Sequence, residues 1–134
     1  MKALDTNVLA RFFVDDPDDA QTAIQRPAAI AALSGRCWVG VTVVLEFEWV
    51  LRGFYGLARK DVLRILRALC GIEHVKVEDR GAVLDALAAA EQGMDFADAL
   101  HLTRSKRAVT LLTFDRAFAR RATKLGLAPP VKAP

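Results

Sequence analysis

The 134 residues, 53% of them hydrophobic and 26% charged, supply the core of one folded domain spanning residues 1–134, which excludes a disordered chain and leaves little room for a second domain. No apolar run reaches the roughly 18–20 residues of a membrane span, and the opening Met1-Lys2-Ala3-Leu4-Asp5 lacks the apolar middle of a signal peptide, so a cytoplasmic protein with no membrane partner is expected. The net charge of +3 hides a gradient: five acids face three bases from Met1 to Gly35, whereas Arg104 onward holds eight bases and one acid, a balance suited to a polyanionic partner.

Along the chain, short β-type runs alternate with longer stretches at helical spacing, the pattern of a parallel sheet with crossover helices. Lys2–Leu4 reads as a first strand and Asn7–Val14 as a helix ended by Asp15-Asp16-Pro17. A second helix spans Asp18–Leu33, with Pro27 predicted to kink or split it and Ser34-Gly35 ending it. Cys37–Gly40 is the second strand; Thr42 is placed to cap a third helix through Phe54, and Arg59–Cys70 forms a fourth, closed by Gly71. His74–Val77 is the third strand, followed by a helix over Gly81–Glu91, a break at Gly93 and a helix over Phe96–Lys106. Val109–Thr113 is the fourth strand and Asp115–Leu125 the last helix, before a Pro129-Pro130 tail. Cys37 and Cys70 lie far apart with no Cys-x-x-Cys partner, so both are read as buried small hydrophobes.

Four carboxylates stand beside apolar runs, where a charge is costly unless paired or bound to a cation. Asp5 follows the first strand and Asp115 the fourth, which puts both at the carboxyl edge of a parallel sheet; Glu46 sits in Val43-Val44-Leu45-Glu46-Phe47, and Asp98 in the first turn of its helix. Singly, Asp5 and Asp115 also read as helix N-caps and Asp98 as an acid serving the helix dipole. Brought to one edge, the four would raise one another's pKa unless a cation neutralised them, and an all-oxygen set favours Mg²⁺ or Mn²⁺ over zinc. Such an ion would activate water and stabilise a leaving oxygen with no Ser or Cys nucleophile. Glu48, about 200° around the helix from Glu46, is predicted to face away; Asp95 is read as a helix cap and His101 as a hydrogen-bonded packing residue.

Leu4-Asp5-Thr6-Asn7-Val8-Leu9, Leu45-Glu46 with Trp49-Val50-Leu51, Phe96-Ala97-Asp98-Ala99-Leu100-His101 and Leu112-Thr113-Phe114-Asp115 together resemble the PIN-domain ribonucleases, specifically the VapC toxins of bacterial toxin–antitoxin pairs. The resemblance implies an α/β fold, a three-layer α/β/α PIN-like domain with a mostly parallel central sheet, and Mg²⁺- or Mn²⁺-dependent endoribonuclease activity. It also implies a homodimer inhibited by a small VapB-like antitoxin. On it, Asp5, Glu46, Asp98 and Asp115 are the metal-binding catalytic acids; Thr6 or Thr113 holds a carboxylate or a water by its hydroxyl, and Asn7 orients Asp5. Arg116 and Arg120, one turn apart, are placed to hold the RNA backbone.

Two rivals follow from the same residues. Asp5-Thr6-Asn7 superficially resembles the opening of an aspartyl-phosphate enzyme, but lacks its second Asp two residues on. A catalytically silent PIN-like regulator acting with a DNA-binding antitoxin would have no need to keep four acids. For partner contact the apolar stripes Ala20, Ala23, Ile24 and Leu33 in the second helix and Val62, Ile65, Leu66 and Leu69 in the fourth are the candidates.

Overall fold

The computed structural model describes residues 1–134, which divide into two compact units, Met1–Arg80 and Gly81–Pro134. In the first, β2 (Cys37–Val39) lies between β1 (Lys2–Ala3) and β3 (Val75–Val77), both parallel to it. Lys2 is registered on Cys37 and Cys37 on Val75. Parallel strands need covering on both faces, and the sequence supplies four helices for this: α1 (Thr6–Phe13), α2 (Ala20–Leu33), α3 (Val41–Trp49) and α4 (Arg59–Cys70). Leu9, Val39, Val44, Phe47, Leu51, Leu66 and Leu69 are completely buried among them.

Helix α2 is not split at Pro27, one of the two outcomes expected there: it runs from Ala20 to Leu33 with the proline inside it. Pro27 and Ala23 are both exposed, so the Ala23 carbonyl that the proline ring leaves unbonded faces water rather than a dry core. The start of α3 corrects an expectation, because its N-cap is Gly40 and Thr42 lies inside the helix. A side chain at 40 would stand 3.1 Å from the Trp38 indole, so the cap position has no side chain to offer. Glu78, just beyond β3, substitutes by accepting the Val41 N–H at 2.9 Å. The predicted third helix is also two structures, α3 and then a π-helix over Val50–Phe54 whose wide turn is closed by Tyr55 N–H donating to the Val50 carbonyl at 3.0 Å.

The stripe Val62, Leu66 and Leu69 of α4 is core, with Ile65 half-buried, and is not a partner surface; Leu33 is buried as well. Ala20, Ala23 and Ile24 do remain exposed. Cys37 and Cys70 are free and buried, as expected, and burial raises the Cys70 thiol pKa in spite of the nearby Arg80 and Arg67.

In the second unit, α5 (Arg80–Glu91) and α6 (Phe96–Thr103) are joined by the Thr103 hydroxyl, which donates to the Ala82 carbonyl at 2.9 Å. The break at Gly93 falls where predicted: its φ of 106° suits glycine, and a side chain there would meet the Arg121 guanidinium at 3.0 Å. Helix α7 (Arg116–Lys124) follows β4 (Leu111–Leu112). The Pro129-Pro130 tail leads into a fifth strand that the sequence reading did not include, β5 (Val131–Lys132), parallel to β4 with Leu111 on Val131. A two-residue strand has too little length for an alternating pattern, and the preceding prolines masked it.

Replacing Pro27 by alanine restores an N–H for the Ala23 carbonyl in an exposed stretch of α2. Thermal or urea unfolding should show Pro27→Ala more stable by about 2 kcal/mol, the helical penalty of proline (about 3 kcal/mol) less its restriction of the unfolded chain (about 0.4–1 kcal/mol).

Candidate functional site

Asp5 is delivered by the sheet. Leu4 N–H donates to the Trp38 carbonyl at 2.9 Å, continuing the β1–β2 ladder, and the next residue leaves the strand as the N-cap of α1. One oxygen of the exposed Asp5 carboxylate accepts the Thr6 N–H at 2.9 Å. Thr6 itself is buried, and its hydroxyl donates to Glu46 Oε1 in a short hydrogen bond. One threonine therefore engages two carboxylates, Asp5 through its amide and Glu46 through its side chain, although the two acids are 41 residues apart. Glu46 faces solvent, whereas Glu48 is buried and paired with Arg52 at 2.9 Å, so the two acids part as the helical period predicts.

Asp5, Thr6 and Glu46 open onto a cleft of about 360 Å³ in the first unit, lined also by Asn7, Arg11, Trp49, Phe54 and Tyr55. Asn7 is exposed and makes no hydrogen bond to Asp5, so the expected orienting role has no contact behind it. The aromatic side chains and Arg11 were not singled out as site residues by sequence reasoning. Arg11 is fixed by Asp19 at 2.8 Å and by Gln25, Thr22 and the Tyr55 hydroxyl. The backbone N–H of Gln21 and the Arg11 guanidinium lower the Asp19 pKa. The one available signal for the rings was Trp49 standing three residues after Glu46, on the same helix face.

In the second unit, Asp95 caps α6 by accepting the Asp98 N–H, as expected, and Asp115 caps α7 by accepting the Phe118 N–H at 3.0 Å. The Thr113 hydroxyl accepts the Asp115 N–H at 3.0 Å and so holds the backbone of that residue, not its carboxylate. Asp98 is half-buried; burial first, then the negative charges of Asp95 and Asp115, hold its carboxyl above the usual aspartate range, and His101 offsets this only in part. His101 is exposed, which corrects its reading as a packing residue. Arg116 and Arg120 are both exposed on α7, and Phe114, between Thr113 and Asp115, is 87% exposed.

The donor chemistry fits a hard divalent ion. Neither unit gathers three or more His, Cys, Asp or Glu side chains into a cage. Mg²⁺ does not need one, because it keeps most of its waters and is commonly held by one or two carboxylates. Each unit offers such a pair: Asp5 and Glu46, tied through Thr6, and Asp98 with Asp115, whose negative charge acts on the Asp98 carboxyl.

The family model described as PIN domain matches residues 2–124, and the fold class read from the sequence, the three-layer α/β/α PIN-like domain, is the one this match shows. No curated protein matches the chain.

A carboxyl whose pKa is raised in the native state holds its proton more tightly there than when unfolded. The stability tied to that proton is present below the unfolded value and is lost as pH rises through the raised native one. Asp98→Asn should therefore melt at a higher temperature than the parent at pH 7 in chelator, and the difference should vanish as the pH is taken below about 4.

Proposed function

The chain belongs to the PIN domain family, whose members are generally metal-dependent nucleases, and on that premise we propose that it is an Mg²⁺- or Mn²⁺-dependent endoribonuclease, the toxin of a VapBC-type pair. The observation that carries this reading is the pair of solvent-facing carboxylates, Asp5 and Glu46, held by one buried threonine at the mouth of a cleft. Glu48, by contrast, is buried and paired with Arg52, whereas these two acids are exposed.

In this reading Asp5, Glu46, Asp98 and Asp115 would be the carboxylates that hold divalent ions, which when bound would supply charge neutralisation at the phosphate and a lowered pKa for an attacking water. Thr6 fixes the direction of the Glu46 carboxylate by donating to one of its oxygens and leaves the other available. Capping likewise engages Oδ1 of Asp5 and Oδ1 of Asp115, so each keeps a second oxygen for a ligand. Asp98, with its raised proton affinity, is the carboxylate whose ionisation a cation would favour most. Arg116 and Arg120, both exposed and one turn apart on α7, would hold flanking phosphates. Thr113 keeps Asp115 at the head of that helix.

The toxin assignment adds two partners. A second copy of the chain is proposed to cover the exposed apolar side of α2, where Ile24 is 69% and Ile30 42% exposed. A small antitoxin of the VapB type is proposed to block the acidic site. Both rest on the sequence resemblance together with this uncovered apolar surface.

Incubating the purified protein with a labelled pool of structured RNA should give cleavage with Mg²⁺ or Mn²⁺ and none with chelator. Asp5→Asn and Asp98→Asn should each lower the rate by about 10²-fold or more, since even groups one step removed from a metal cost 10–100-fold when lost. Arg116→Ala with Arg120→Ala should weaken RNA binding and reduce its salt slope by about 1–2. A folded, metal-loaded protein that cuts no RNA would instead support the silent regulator.

A further inference from the structure

The cleft that holds Asp5 and Glu46 is lined by one basic side chain, Arg11, set one turn beyond Asn7 on α1. Two exposed carboxylates attract the nearest cation, and a guanidinium can meet a carboxylate with two parallel N–H donors. Arg11 nevertheless points to α2. Its Nη1 donates to Asp19 Oδ2 at 2.8 Å and to the Thr22 hydroxyl at 3.2 Å, and its Nε donates to Gln25 Oε1 at 2.8 Å. The Tyr55 hydroxyl accepts from Nη1 at 3.4 Å. The acid that takes Arg11 is itself fixed: Asp19 is the N-cap of α2 and gives its other oxygen to the Gln21 N–H at 2.9 Å. Arg52, in the π-helix, is taken up by Glu48, so each of these two arginines has its own acid, while neither Asp5 nor Glu46 has a basic partner.

We propose that Asp19 is a positioning residue for the acidic site: by holding Arg11 toward α2 it keeps that guanidinium off Asp5 and Glu46 and leaves the two carboxylates to a divalent cation. This rests on the metal-dependent nuclease reading and deepens it. A guanidinium and a hard dication compete for the same oxygens, and a side chain tethered in a cleft of about 360 Å³ competes at high effective concentration. Paired with Asp19, Arg11 adds no net charge to the cleft. Released, it would repel an incoming cation and occupy its ligands together. The pair is sheltered enough to matter: its side chains are 18% and 29% exposed, against 65% and 60% for the Lys106–Asp85 pair, so water and salt screen it less. Thr22, which shares Nη1 with Asp19, is buried and gives the guanidinium a fixed seat on α2.

The test titrates Mn²⁺ alone, without RNA, into the full chain by calorimetry, with unfolding in chelator to verify that each variant is folded. Asp19→Asn is the informative change, because asparagine still caps α2 but has lost the charge that holds Arg11. It should weaken Mn²⁺ binding by about fivefold or more, whereas Asp18→Asn, which neutralises the exposed acid next to it, should change binding by less than about twofold. Arg11→Gln should bind Mn²⁺ at least as tightly as the parent, and Arg11→Gln combined with Asp19→Asn should recover the parent affinity to within about twofold. A merely structural role for Asp19 would not be rescued by taking Arg11 away. No loss in Asp19→Asn, an equal loss in Asp18→Asn, weaker binding in Arg11→Gln or no recovery in the double variant overturns the proposal; the nuclease reading then stands if Asp5→Asn still weakens Mn²⁺ binding. A parent that binds no Mn²⁺, or binds it unchanged after Asp5→Asn, overturns both.

Discussion

The strand β2 is the constraint on which the first unit depends. Its three residues are hydrogen-bonded on both sides by parallel neighbours, and Cys37 and Val39 are sealed from solvent. One side fixes where Leu4 leaves the sheet and hence where Asp5 begins α1. The other brings β3 alongside, so that Glu78 can cap α3, the helix that carries Glu46 and Trp49. Two segments remote in sequence thus receive their starting points from one strand, and the Thr6–Glu46 hydrogen bond joins the helices that grow from them.

The acids illustrate how structural and chemical duties coexist on one side chain. A carboxylate has two oxygens and several lone pairs. Asp5 and Asp115 each give one oxygen to a helix N-terminus, which fixes the group, and both still face water. Capping and ligation are therefore not competing explanations of these residues. The half-covered Asp98 lies among like charges with only His101 to relieve them. A group placed so is costly to the apo fold, and a cation would lift that cost.

Much of this was legible in the sequence because it depends on local rules. Alternating apolar blocks marked the positions of β1 to β4, glycines and acids marked most helix ends, and the two-residue offset at 100° per residue separated Glu46 from Glu48. What escaped depends on partners distant in the chain. Whether Val62, Leu66 and Leu69 cover a sheet or a partner cannot be told from their spacing, since both uses need the same stripe. The cap of α3 comes from Glu78, across the sheet, and the π-turn at Val50–Phe54 has the composition of an ordinary helix. The aromatic lining of the cleft was hidden for a simpler reason: Trp and Phe in an apolar segment are core residues by default, and only coordinates reveal that Trp49 and Phe54 face outward.

The parallel pairing of β4 with β5 has a bearing on how the protein is made. Thr113 N–H donates to the Lys132 carbonyl and Leu111 N–H to that of Pro130, so the turn presenting Asp115 is tied to chain that the ribosome adds only after all of α7. Synthesis is vectorial and proceeds at about 5–20 residues per second. During that interval a nascent chain carries α7 but lacks the strand that ties down the turn presenting Asp115, so the parallel pair of the second unit closes only once Val131 and Lys132 have emerged.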